Sequence, residues 1–345
     1  MNKKQFGGKL TPELEAQYAQ SPQWKNGQFE NLVETKMEFS IWSLPHMLYT
    51  QFIDKKDRDP KKPLPVANFD IEAFLADDVP FKYVWYGHSV VLLRLNGKTI
   101  VIDPMMAPNA GPISPIPVKR YSKNTLDIID EWPEIDLVLL THDHYDHLDL
   151  ASMEKLMPKV KQFYVALGCK RHLAFWGADE TKVKEFDWWD AAEFNNISIT
   201  FTPTRHFSGR GLKDRAKSLW GGWALKTNNH NIYFSGDGGY GDHFKEVGKK
   251  LGPFDFGFME CGQYNKQWHQ IHMYPEESVQ AANDAGVKKA TPVHWAGFSL
   301  AQHTWVEPAN RFVTAANEEG LNTVYPELGK VYTLTNNCER LWWRQ

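Results

Sequence analysis

His142-Asp143-His144-Tyr145-Asp146-His147 sets three imidazoles and the Asp146 carboxylate within six positions, at the end of the apolar run IDLVLLTH. Neutral imidazole nitrogens and carboxylate oxygens suit zinc and similar borderline ions. Side chains alternate along an extended chain, so His142 and His144 point to one side. A turn at Tyr145 then carries Asp146 and His147 to a second point nearby. Two ligand pairs in one loop predict two metals. The plain alternative is a solvated polar loop, and four ligand-type residues at this spacing after an apolar strand argue against it. Further ligand types recur at the ends of other apolar segments: His206 after NISITFTP, Asp237 after NIYFSG and His294 after KATPV. Singly, each reads as a turn former or a structural histidine. Their repeated placement makes them candidates.

Such ligands need strands to position them. KYVWYG (82–87) and SVVLLRL (89–95) read as strands, and Asn96-Gly97 is a two-residue hairpin signal returning into KTIVIDP. IDLVLLTH is a short continuous apolar run, as a buried strand requires. Strands are also expected in QFYVAL, NISITFTP, WGGWALKT, NIYFSGD, DFGFME and KATPVHW. Helices are expected over 149–157, 169–177, 240–252, 275–286 and near 306–319, with Pro275 opening one and Gly286 closing it. Two strand groups, each followed by alternating helix and strand, predict two sheets with helices outside. Residues 1–80, rich in Gln, Lys, Asp and Pro, read as an N-terminal arm with a helix around 37–52. It is expected to pack on a main body at 81–345 within one structural domain. The segment IWSLPHMLYTQF (41–52) either caps that body or forms a lip over the substrate site.

The chain has 345 residues, 39 basic and 42 acidic, for a net charge of −3. That balance disfavours an electrostatic nucleic-acid binder. Three widely spaced cysteines form no disulfide framework and no Cys-based zinc site, which suits a reducing compartment. No apolar leader follows the two N-terminal lysines, and no run reaches the roughly 20 residues of a membrane span. The expected location is cytoplasmic, with peripheral contact at the inner face of a membrane left open. Fourteen tryptophans are present.

HDHYDH, a distant His, Gly-Asp and then His-Trp resemble the metallo-β-lactamase fold. WYGHSVVLL, KEFDWWD, FTPTRHFSGRGLKDRAKSLWGGWAL, FSGDGGY and HMYPEESV, across roughly 80–310, resemble its N-acylphosphatidylethanolamine-hydrolysing phospholipase D branch. The resemblance implies an α/β class fold, a four-layered αββα sandwich with a metal pair between its sheets. It implies that His142, His144 and His206 hold one metal, that Asp146, His147 and His294 hold the other, and that Asp237 bridges them. Asp103 and His88 match supporting positions behind the ligands. His272, in IHMYPEES, matches a histidine of the lipases and is a candidate to donate to the leaving oxygen, beside Asp146 as the other catalytic candidate. Glu260-Cys261 and Phe207 depart from the branch pattern, which has a more apolar pair and a Trp.

The implied cofactors are two divalent ions, zinc first, with iron or manganese fitting the same ligands. The implied reaction is hydrolysis of an N-acyl phospholipid or related phosphodiester by a hydroxide bridging the metals. Three alternatives stand: a lactone, ester or amide hydrolase on the same fold, a nucleic-acid phosphodiesterase, and a metal-binding protein without turnover. The expected partner is a small-molecule or lipid substrate, with no nucleic acid; an oligomer is left open. Arg205 and Arg210 are candidates for phosphate contact, while Lys213, Asp214 and Arg215 read as internal ion pairs. Trp85, Trp188, Trp189, Trp220, Trp223 and Trp295 fall inside the branch motifs and are expected to pack around the metal loops. Trp24, Trp42, Trp342 and Trp343 fall outside and are expected as surface for a lipid or a partner.

Overall fold

The computed structural model describes residues 3–37, 49, 56–111, 118–211, 213–337 and 340–344. The expected helix and lip at 37–52, Trp42 and Cys338 lie outside the described residues, apart from Met37 and Tyr49.

The arm carries helix α1 (Pro12–Tyr18), capped by the Thr11 hydroxyl, and a short hairpin of β1 (Trp24–Lys25) and β2 (Gln28–Phe29). Helix α2 (Ile71–Leu75) leads into the first large sheet. Its strands are β3 (Phe81–Trp85), β4 (Val91–Leu95), β5 (Lys98–Ile102), β6 (Leu137–Leu140), β7 (Phe163–Ala166) and β8 (Val183–Phe186). Helices α3 (Ile128–Glu131), α4 (Leu150–Leu156) and α5 (Lys170–Phe175) fall within the same stretch. The second sheet takes β9 (Ala191–Phe194), β10 (Ile197–Thr202), β11 (Gly222–Lys226), β12 (Asn231–Phe234), β13 (Phe256–Glu260), β14 (Lys289–Val293) and β15 (Asn322–Thr323). Helices α6 (His243–Leu251), α7 (Pro275–Asp284) and α8 (Glu307–Glu319) accompany it, and β16 (Val331–Thr333) returns to the edge of the first sheet beside β3.

The local chemistry explains the pairing. Asn96 and Gly97 both adopt left-handed φ, 51° and 70°, as the two-residue turn between β4 and β5 demands. Strands β5 to β8 run parallel, as do β12 to β15. A parallel strand covered on both faces needs an unbroken apolar run, and LVLL of β6 and FYVA of β7 are buried throughout. The two sheets meet through aromatic rings: Tyr83 of β3 sits 5.1 Å from Phe256 and 5.2 Å from Phe258 of β13, centroid to centroid. The result is the expected α/β sandwich of two large sheets with helices.

Each sheet changes from antiparallel to parallel partway, at β5 in the first and β12 in the second. Open α/β sheets bind ligands at the carboxyl ends of strands where the order switches. Asp103 follows β5, His142 follows β6, Asp237 follows β12 and His294 follows β14, so both switch points feed one crevice.

Three tryptophans expected at the surface are packed instead. Trp24 lies 4.9 Å from Phe29 and 5.8 Å from Tyr18, closing the arm on itself. Trp342 stacks on Trp295 at 5.6 Å and Trp343 meets it edge-on at 5.0 Å. Their indole N–H groups donate to Pro326 O and Asn310 Oδ1. The physical reason is that Trp295, next to His294, offers a large apolar face that the chain's own later segment covers.

Candidate metal centre

The segment after β6 turns back on itself through hydrogen bonds that the His147 and Leu148 amides donate to the His144 carbonyl. That turn splits the motif as its spacing suggested. His142, His144 and His206 bring one nitrogen each within 4.8 Å of one another, and so do the ligand atoms of Asp146, His147, His294 and His88. Asp237 lies between the two groups, its Oδ2 3.0 Å from His147 Nε2, 3.0 Å from His294 Nε2 and 4.0 Å from His206 Nε2.

The other ring nitrogen of most of these histidines is already engaged. His147 Nδ1 donates to Asp103 Oδ2 at 2.7 Å, and His206 Nδ1 donates to Ile271 O at 3.0 Å. His294 Nδ1 faces Gly262 O at 3.4 Å, and His142 Nδ1 contacts Thr141 Oγ1 at 2.9 Å. Each therefore turns Nε2 inward, the orientation in which a metal-ligating histidine is held. Asp103 in turn accepts from the Thr141 amide at 2.8 Å and from its hydroxyl at 2.6 Å.

A divalent cation fits this donor set. His142 Nε2 and His206 Nε2 stand 2.9 and 3.2 Å from His144 Nδ1. Unprotonated nitrogens this close repel one another unless a cation lies between them. The edge of a tetrahedral site with Zn–N of 2.0–2.1 Å is about 3.3 Å. His147 Nε2 is buried with no hydrogen-bond partner. Burial lowers the His142 and His206 pKa values well below the ordinary range and His144 to about 4, which keeps each ring neutral with one nitrogen free to donate a lone pair. On the other side burial also opposes the charged form, but carboxylates prevail. Asp237, Asp146 and Asp103 hold His147 well above its ordinary value, and Asp237 and Asp146 hold His294 up to about 10. One half of the site is ready to donate lone pairs, and the other half attracts positive charge.

His88 comes from the loop between β3 and β4, yet its Nε2 donates to Asp146 Oδ2 at 2.8 Å. Its backbone pairs with the loop after β14: His88 N–H donates to Trp295 O at 2.7 Å and His294 N–H to His88 O at 2.9 Å. Both residues hold left-handed φ, 55° for His88 and 65° for His294, costly for a residue with a Cβ. Gly262 allows this approach, because a Cβ there would lie 2.0 Å from His294 O.

His272 faces the centre, its ring 5.0 Å from His206 and 5.2 Å from His294. Its Nδ1 is 2.5 Å from Glu260 Oε1. The sequence marks Glu260 only as a departure from the branch pattern and gives it no role in the site. The available signal was an acidic side chain closing the otherwise apolar, buried strand FGFME. Burial, then Asp237, raises the Glu260 carboxyl well above its ordinary range, while burial lowers His272 to about 4. One proton therefore sits on the pair, on the carboxyl side. Asp143, inside the motif, points away from the centre. It accepts from Ser218 Oγ at 2.7 Å, Gly209 N–H at 2.7 Å and His172 Nε2 at 3.1 Å, and so ties the motif loop to the loop after β10.

The two phosphate-contact candidates are engaged elsewhere. Arg210 is buried, with its guanidinium donating to the carbonyls of Asp143, Leu148 and Gln5. Arg205 donates to Glu34 O, Thr35 Oγ1 and Gln270 Oε1. The chain's own acceptors thus take up the donors of both arginines. Asp214 accepts from the Arg210 and Gly211 amides, and Arg215 lies over the Phe207 ring, so turn and ring contacts replace the expected ion pairs. A cavity of about 250 Å³ opens onto His144, Asp146, Asp237, His272 and His294, with Met37, Phe207, Trp268, Ile271 and Leu300 as an apolar wall.

This combination of fold and site belongs to the metal-dependent hydrolases of the metallo-β-lactamase class. Residues 98–295 match the family model for the beta-lactamase superfamily domain. An uncharacterised protein of Mycobacterium tuberculosis is 34% identical over 331 residues, covering 94% of this chain and 88% of its own. N-acyl-phosphatidylethanolamine-hydrolyzing phospholipase D 1 of Caenorhabditis elegans is 34% identical over 272 residues, covering 75% of each chain. Among solved structures, the metallo hydrolase Igni18 of Ignicoccus hospitalis superposes with a TM-score of 0.57 at 21% identity, over 73% of this chain and 97% of that one. The chain belongs to the beta-lactamase superfamily, in its N-acyl-phosphatidylethanolamine-hydrolysing phospholipase D-like branch. No helix among the described residues is long and apolar enough to cross a membrane.

Proposed function

We propose that the protein is a zinc-dependent phosphodiesterase with two metals, acting on a phospholipid-like phosphodiester of the N-acylphosphatidylethanolamine type. In this reading His142, His144 and His206 hold one ion, Asp146, His147 and His294 the other, and Asp237 contacts both. Asp103 and His88 orient His147 and Asp146. When bound, such a pair supplies a water of near-neutral pKa and positive charge for the oxygens of an in-line displacement. The observation that carries the proposal is the apolar wall beside the metal ligands, in a chain whose relative of 34% identity carries the phospholipase name. Met37, Phe207, Trp268, Ile271 and Leu300 give an apolar substrate group a place next to the reacting bond and exclude bulk water there.

His272 has Nδ1 occupied by Glu260, so Nε2 is the nitrogen left for the cavity. With the shared proton on Glu260, His272 carries its own hydrogen at Nε2. It donates that hydrogen to the leaving alkoxide and recovers one at Nδ1 from Glu260. Water adds to phosphorus, the P–O bond to the alcohol breaks, and phosphatidic acid and an alcohol are the products. The test is a substrate panel: an N-acylphosphatidylethanolamine, bis-p-nitrophenyl phosphate, an acyl lactone and an oligoribonucleotide. Purified protein should hold close to two metals per chain, and Asp237→Asn should lower both metal content and turnover. Turnover of the lactone alone sinks the phosphodiesterase reading; wild-type protein without a transition metal sinks the two-metal reading.

A further inference from the structure

His206 is the one proposed ligand carried by the long loop between β10 and β11. His294 follows directly on β14, His142 lies two residues beyond β6 and Asp237 three beyond β12, whereas His206 is four beyond β10. Among its described residues the loop between β10 and β11 carries no helix or strand. A ligand there needs an external hold to keep its geometry, because a freely moving loop loses entropy each time the ion binds.

The hold comes from the N-terminal arm. Asn31 Nδ2 donates to His206 O at 2.8 Å, and Asn31 Oδ1 accepts from the His206 amide at 3.1 Å. One side-chain amide thus reads both backbone groups of the ligand residue, as a neighbouring strand would. Trp220 Nε1 donates to the same Oδ1 at 3.0 Å and fixes the amide in that orientation. Arg205, one residue earlier, is bound by Glu34 O and Thr35 Oγ1 of the arm. The Lys36 amide and Arg205 share Gln270 Oε1, next to the Ile271 carbonyl that fixes the His206 tautomer. Upstream the arm is anchored by buried Phe29, whose amide donates to Ala216 O in the same loop. Residues 29–36 therefore brace the His206 loop along its inner length, although they lie outside the stretch that the superfamily domain model matches.

We propose that Asn31 is a positioning residue for His206 and that the N-terminal arm tunes the metal affinity of the His142/His144/His206 half of the centre. The proposal rests on the two-metal reading above. Removal of a supporting hydrogen bond behind a ligand lowers metal affinity by about 10–100-fold.

The test uses the full chain, titrated with zinc against a competing chelator and, separately, with cobalt(II) followed by its visible absorption. Asn31→Ala should weaken one of the two bound ions by about tenfold or more. It should also alter the absorption of that ion alone, while the other keeps its wild-type dissociation constant. Glu30→Gln, at the adjacent residue, serves as the control for a general change in the arm and should leave both constants unchanged. If Asn31→Ala fails to fold, Trp220→Phe frees the Asn31 amide and should give a smaller loss at the same site. Wild-type constants at both sites overturn the proposal, and so does equal weakening of both. Wild-type protein that binds no metal instead defeats the two-metal reading beneath it, a result distinguishable from either.

Discussion

Asp103→Asn isolates what a buried carboxylate behind a ligand contributes. Asp103 is fully buried, and its two oxygens accept three hydrogen bonds, two from Thr141 and one from His147 Nδ1. Asparagine has the same shape and tolerates the left-handed φ of 44° found there, so the backbone has no reason to move. Its amide presents only one acceptor oxygen. Whichever way it turns, an N–H faces another donor, either His147 Nδ1–H or the Thr141 amide. The lost charge-assisted bond is worth about 1.5–3 kcal/mol. If His147 responds by moving its hydrogen to Nε2, that hydrogen occupies the lone pair the metal needs. Either route predicts zinc bound about 10–100-fold more weakly in the Asp146/His147/His294 half. Chelator competition resolves the two halves, and the His142/His144/His206 half should keep its affinity. Unchanged zinc affinity in both halves would refute the assignment of Asp103 as the support of His147.

Two further outcomes follow from side chains outside the ligand set. Glu260→Gln should lower kcat by about 100-fold or more with metal content unchanged, since it removes the proton source behind His272 but no proposed ligand; metal loss equal to the activity loss would show a merely structural carboxylate. His243, at the start of α6, is buried, and burial followed by Arg205 lowers its pKa to about 4. The folded form is therefore neutral, its contribution is complete above the unfolded value of about 6.5, and stability is lost as pH falls from there towards 4. At pH 5 the cost is about 2 kcal/mol, so denaturation midpoints of His243→Asn should fall less steeply between pH 6.5 and 4 than those of the wild type; parallel slopes would contradict this.

Much of the frame was legible because its signals are local. Asn96-Gly97 dictates its turn, and LVLL and FYVA can satisfy their surface only inside a sandwich. The ligand candidates were legible because each stands where an apolar strand ends. The edge strands β8 and β9 were not, since VKEF and AAEF alternate burial too briefly to give a period. The partners of Glu260 and Asn31 were hidden for another reason. A carboxylate closing a strand and an amide in a polar arm acquire meaning only when a loop distant in sequence is laid against them. Trp342 and Trp343 misled in the same way, because an indole far from any motif gives no sign of the ring it will cover.

The backbone ladder joining His88 to His294 and Trp295 has a kinetic consequence. It ties the first hairpin of one sheet to the end of β14 in the other, so loop closure over nearly the whole domain must precede it. The hairpin of β4 and β5 can form early, but the ligand cage exists only after the sheets have docked. A metal that recognises the finished cage stabilises contacts that are absent from the folding transition state. Saturating zinc should therefore slow unfolding and leave the refolding rate nearly untouched, making the ion a lock on the completed molecule.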